Sequence, residues 1–184
     1  MFGGPAIPGT SNPARAVTSF GGVARNVAEN LARLGTSVTL VSRVGDDHAG
    51  RAVTEHLADL GADVAPVRVA LSGETAQYVA MIGPDGELLL GAAAMDVLDG
   101  LTPDDVDRAW PEPPAWLFVD CNLPIDTLNH AVRRARGDGT LLAVDAVSTP
   151  KVARLPRDLT GVTVLFCNLA EAQALAEQHA WPGA

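Results

Sequence analysis

Two adjacent glycines, Gly21 and Gly22, stand directly before an amphipathic run. Glycines at a helix start let backbone N–H groups come close to a ligand, and the helix end favours oxygen acceptors. Asn26 lies one turn further along, where its side-chain amide can bond a hydroxyl group. A second set of polar groups follows apolar runs: Asp120-Cys121-Asn122, Asp145 and Asn168. In open α/β sheets the ligand crevice lies outside the carboxyl ends of the strands, so these residues mark a candidate site. The alternative is that they cap the helices that follow, most directly Asn168. Lys151 is the one lysine among 13 basic residues. An arginine skew of this kind reflects coding bias. The retained lysine is either a cleft residue whose geometry arginine does not meet or an incidental surface residue.

The elements that must position these groups alternate along the chain. Residues 22–34 read as a helix, with Val27, Leu31 and Leu34 as its stripe, Ala24, Ala28 and Ala32 beside it, and Gly35 as its stop. Residues 38–41 are β-branched and read as a strand. Asp46 and Asp47 open a second helix, where Ala49, Val53, Leu57 and Leu60 recur at helical spacing up to Gly61. Then come three strands without helices, over 64–69, 75–82 and 87–91, the last two joined by the Pro84-Asp85-Gly86 turn. Alternation resumes with helices over 103–109, 124–136 and 169–177 and strands over 116–120, 141–145 and 162–166. Thr102 caps the first of these helices. The pattern predicts a layered α/β/α sheet with a small β-strand lid. Residues 1–19, rich in Gly, Pro, Ser and Thr, read as an irregular segment.

Composition excludes several partners. The chain has 184 residues and a net charge of −9, with 47% apolar and 19% charged residues. This acidity argues against nucleic acid and anionic membrane surfaces. No apolar run is long enough to span a membrane, and residues 1–13 carry no secretory signal, so the expectation is a cytoplasmic protein. Cys121 and Cys167 form no CxxC pair and read as buried thiols at strand ends. No strand precedes Gly21-Gly22 to make a dinucleotide loop, and no Walker GK[ST] occurs.

Beyond these readings, the chain resembles the PfkB (ribokinase-like) carbohydrate kinases. The similarity rests on Gly21-Gly22, Asn26, Asn30 and Leu34-Gly35, then Val41-Ser42-Arg43-Val44-Gly45-Asp46-Asp47 and Gly50. It continues through Gly61-Ala62-Asp63-Val64, Thr75, Asp85-Gly86-Glu87 and Asn168-Leu169-Ala170-Glu171. Three local features look most like members that act on pseudouridine: residues 9–13, residues 22–30, and Asp120-Cys121-Asn122 followed by residues 144–148 and Lys151. Ala94 departs from that pattern, where an aspartate is expected.

The resemblance implies phosphorylation of pseudouridine at its 5′-hydroxyl with ATP and Mg²⁺. Alternative substrates are ribose, another nucleoside or a ketohexose. It implies that Gly21, Gly22 and Asn26 bind the ribosyl hydroxyls and that Asn122 and Lys151 line the substrate cleft. Asp145 would line the cleft on the nucleotide side. Asn168 and Glu171 would stand near Mg²⁺ and the nucleotide phosphates, Glu171 through water. Strands over about 64–91, with part of 1–19, would form a lid that mediates a homodimer, and residues 20–63 and 92–184 the α/β core. The family's general base lies in a Gly-Ala-Gly-Asp motif, and no such string occurs here. The expectation is therefore a partial kinase domain, shortened at both ends, without a catalytic residue of its own and inactive alone. A second reading fits the same residues: a non-catalytic remnant, or a fragment that binds nucleosides or dimerises.

Overall fold

The structure is a computed structural model and describes residues 1–180. Three small sheets carry the chain. The first is a parallel pair, β1 (Arg43–Gly45) with β2 (Arg68–Ala70). The second is an antiparallel hairpin of β3 (Gln77–Ile82) and β4 (Leu88–Ala94). The third is parallel, in the order β5 (Trp116–Asp120), β6 (Leu141–Asp145), β7 (Val162–Phe166).

Helices flank the parallel pieces. Helix α1 (Val23–Arg33) precedes β1, and α2 (His48–Asp59) lies between β1 and β2. A 3₁₀ turn (Asp96–Gly100) and α3 (Pro103–Ala109) lead into β5. Helices α4 (Ile125–Asp138), α5 (Thr149–Val152) and α6 (Leu169–His179) alternate with the last strands. The main core lies where α4 covers the third sheet. Leu128, Ala131, Val132 and Ala135 recur at helical spacing, and all are buried against Leu142, Val144, Val152 and Leu175. Each such leucine contributes about 1.5–3 kcal/mol by burial. A smaller core joins Ala28, Leu40, Leu57 and Ala62.

The α/β expectation holds, and several details differ. Residues 38–41 form no strand. Thr39 makes a single parallel bridge to Asp63, and the ladder begins only at Arg43. β-branched residues favour extended backbone, but a strand also needs a continuous partner. Leu34, expected in the stripe of α1, is the C-cap residue and is 80% exposed. Of the strands expected over 64–91, the first, shortened to β2, pairs with β1 and not with the hairpin. Cys121 is buried as expected, but Cys167 is exposed. Helix α5 was not legible, because four residues are too few to show a period.

The amino-terminal segment packs on the hairpin. The Phe2 N–H donates to the Ile82 carbonyl at 2.9 Å, and Phe2 bridges Ala14 in antiparallel fashion. Asn12 holds the loop shut, accepting from the Ile7 N–H and donating back to the Ile7 carbonyl.

Candidate functional site

A cleft of about 2700 Å³ opens between the two parallel pieces and runs under the hairpin. Its walls are mainly apolar, including Val27, Leu31, Val38, Leu40, Leu117 and Val119. Gly21, Gly22, Asn26, Asn122 and Lys151 all line it. Groups separated by up to 130 positions in the chain thus share one cavity. Asp145, Asn168 and Glu171 do not line it.

Gly22 caps α1 with φ +99°, a conformation that L side chains rarely adopt. No side chain from the helix itself caps this end. The cap comes from Asp120, at the end of β5, whose Oδ2 accepts from the Ala24 N–H at 3.0 Å. Asp120 Oδ1 accepts from the Asn122 N–H at 2.9 Å. One carboxylate therefore ties the glycine end of α1 to the turn that carries Asn122. Its charge complements the positive helix end. Asp120 was legible as a polar strand end but was not among the expected binding residues. What marked it was its place one residue before the Cys121-Asn122 turn.

Asn122 accepts from the Lys151 Nζ, which also lies 3.7 Å from the Met95 Sδ. Burial depresses the Lys151 pKa below the usual lysine range, and neighbouring Arg154 lowers it further. Arg154 Nη1 donates to the carbonyls of Asn122 and Leu123, at 2.9 and 3.1 Å, and fixes the backbone of that turn. At the other wall, Arg25 is buried, donates to Asn26 Oδ1 at 2.9 Å and pairs with Glu29. Arg154 carries no motif signal in the sequence, and Arg25 lies within the 22–30 run with no role assigned to it there.

Asp145 pairs in register with Asp120 on neighbouring parallel strands. Burial raises the Asp145 pKa above the ordinary carboxylate value, and Asp120 and Glu171 add repulsion. The buried Cys121 thiol between these elements is pushed up to about 12, chiefly by desolvation, so it is no nucleophile.

Asn168 and Glu171 close a capping box at the start of α6. Asn168 Oδ1 accepts from the Glu171 N–H, while Glu171 accepts from the Asn168 backbone and side-chain amides. The capping reading of Asn168 is the one these bonds display. Glu171 is buried, and both its oxygens already accept from Asn168. Among the described residues no group of three or more His, Cys, Asp or Glu side chains is placed to hold a metal ion. A remaining lone pair on each oxygen fits a bridging water.

The base of the hairpin has its own anchor. The Asp47 carboxylate accepts from the Gly50 N–H, the Thr75 N–H and the Thr75 hydroxyl, each at 2.7 Å. These bonds hold the Asp47 pKa down to about 2. Gly50 is required here, because a Cβ would lie 2.5 Å from the Gly45 carbonyl oxygen.

The pattern of residues 7–182 matches the pfkB family carbohydrate kinases. The chain belongs to the pfkB family. It is 32% identical over 168 residues to the uncharacterized sugar kinase YeiI of Escherichia coli K12, covering 90% of this chain and 46% of that protein. It is 27% identical over 168 residues to the pseudouridine kinase of the same organism, covering 90% of this chain and 53% of that protein. Among solved structures, a carbohydrate kinase from Agrobacterium tumefaciens superposes with a TM-score of 0.80 at 34% identity. That match covers 93% of this chain and 57% of the other. The pfkB chain described here thus has a ribokinase-like fold and spans about half the length of the curated relatives it matches. No helix among its described residues is long and apolar enough to cross a membrane.

Proposed function

We propose that this pfkB chain is the substrate-and-lid part of a kinase that phosphorylates pseudouridine at its 5′-hydroxyl. The observation that carries this reading is the joining of the Gly21-Gly22 helix start, Asn26, Asn122 and Lys151 in one cleft beneath the hairpin. The N–H groups at the helix start and the two asparagine amides suit the hydroxyl oxygens of a ribosyl group. The apolar walls suit a base.

In such a kinase the nucleotide is ATP, and bound Mg²⁺ would offset the charge of its phosphates. Asn168 and Glu171, acting through water, and Asp145 are this chain's candidates on the nucleotide side. No Gly-Ala-Gly-Asp occurs in the sequence, so the 184 residues contain no assigned general base. We assign negligible turnover to the chain alone. The exposed apolar hairpin supports a homodimer through the lid.

A thermal-shift screen tests the substrate class, using pseudouridine, uridine, adenosine, ribose and fructose. A ligand that binds only the folded chain raises its Tm, by about 2.7 kcal/mol of stability at 100 times its Kd. Pseudouridine is expected to give the largest rise. A rise with fructose and none with any nucleoside overturns the reading.

A further inference from the structure

Two asparagines line the cleft, and each has its side-chain carbonyl held by a cation. Arg25 Nη1 donates to Asn26 Oδ1 at 2.9 Å, and Lys151 Nζ donates to Asn122 Oδ1. Arginine and lysine have donors only, so the atom facing each cation must be the amide oxygen. An asparagine amide is otherwise free to flip, which exchanges donor and acceptor at little cost. Here the flip would set an NH₂ group against a cation. Neither Nδ2 atom has a protein partner among the described residues.

The cations are themselves fixed. Arg25 is only 9% exposed, pairs with Glu29 and lies 5.4 Å from the centre of the Phe20 ring. Lys151 is half-buried, contacts Met95 and follows the N-terminal residues of α5.

We infer that Arg25 and Lys151 are positioning residues that lock Asn26 and Asn122 as hydrogen-bond donors, so that the cleft selects a ligand presenting oxygen acceptors to both. This deepens the proposed function and rests on it for the identity of the ligand. It also gives Lys151 a task beside lining the cleft: one N–H of its ammonium holds the Asn122 carbonyl. A ribosyl group fits, since its ring and hydroxyl oxygens accept. A ligand offering only N–H donors at these points does not.

Two arms test the lock on the full chain. The first needs no ligand. With asparagine ¹⁵N-labelled, the side-chain NH₂ signals of Asn26 and Asn122 are followed by NMR. Lys151→Met is expected to move the Asn122 pair and leave the Asn26 pair in place, and Lys151→Arg to restore it. Arg25→Met is expected to do the converse, with Arg25→Lys as the variant that keeps a buried cation should the methionine variant fail to fold. Signals that stay in place in both methionine variants overturn the lock, as does an unmoved Asn122 pair in Lys151→Met alone.

The second arm uses Asn26→Asp and Asn122→Asp, which keep the cation's partner and replace the donor with an acceptor. Each is expected to keep or raise the unliganded Tm and to weaken pseudouridine binding about tenfold or more. Unchanged binding in both aspartate variants overturns the inference. If the wild-type chain responds to no nucleoside or sugar, the proposed function fails, and the NMR arm still decides the lock.

Discussion

The Asp120 carboxylate accepts from the Ala24 N–H at 3.0 Å, across 96 positions of sequence. It links two motifs distant in sequence across one cleft. The glycine end of α1 comes from one parallel piece and the Asn122 turn from the other, and a mainly apolar cleft lies between them. Asp120, at the end of β5, bonds both at once.

Asp120→Ala therefore removes a helix cap and leaves two backbone N–H groups unpaired. Such a loss costs about 1–2 kcal/mol. For a chain of this size that is a fall of roughly 2–8 °C in Tm. Thermal unfolding by circular dichroism reads it. Asp120→Asn, which keeps an acceptor for one of the two N–H groups and turns an NH₂ toward the other, should fall in between.

The fold class was legible because the alternation of period-3.6 and β-branched segments is local information. The Thr102 cap, the hairpin turn at Asp85-Gly86 and the stops at Gly35 and Gly61 were legible for the same reason. What escaped was set by neighbours distant in sequence. Residues 38–41 have the side chains of a strand but find a partner only at Asp63. Cys167 follows an apolar run as Cys121 does, yet it is exposed. Of the residues that line the cleft, Gly21, Gly22, Asn26, Asn122 and Lys151 carry a signal of motif or rarity. The roles of Arg25 and Arg154 were not legible, because an arginine that binds a neighbouring amide or carbonyl leaves no spacing signature.

Asp47 gives the fold an acid-sensitive anchor. Its folded pKa of about 2 lies below the ordinary aspartate value of 3.8. A depressed carboxylate contributes stability that is present above the unfolded value and lost as pH falls through the folded one. The contribution thus fades between about pH 3.8 and about pH 2. Thr75→Val removes the hydroxyl donor to Asp47 and should shift acid unfolding to higher pH. An acid titration followed by fluorescence of the three tryptophans measures the shift.

Asp145 has the opposite sign. Burial, with Asp120 and Glu171 nearby, raises its folded pKa above 3.8. Its favourable contribution is present below 3.8 and lost as pH rises through the folded value, so at neutral pH its charge opposes folding. Asp145→Asn keeps an oxygen for the Val147 N–H and removes the charge. Its Tm should exceed that of the wild type at pH 7, and the difference should shrink as pH falls toward 3.8. Melting curves across that range decide the matter.

The hairpin leaves Val79, Met81 and Leu90 at least 44% exposed, and all three fall on one face by the β3–β4 register. A homodimer through this face would cover them. Sedimentation velocity should show a dimer at micromolar concentration, and Met81→Glu or Leu90→Glu should return it to monomer. A wild-type monomer at all concentrations would remove the lid from the interface.

The role proposed for the cleft around Gly21, Gly22, Asn26 and Asn122 is recognition of a ribosyl nucleoside, with pseudouridine preferred. Calorimetric titration of pseudouridine into the chain, paired with its isomer uridine, tests this most directly. The two ligands share the ribosyl group and differ in how the base is attached. One site per chain and tighter binding of pseudouridine are expected. Equal or tighter binding of uridine would contradict the substrate assignment, and no heat from either ligand on a cooperatively folded chain would contradict the site itself.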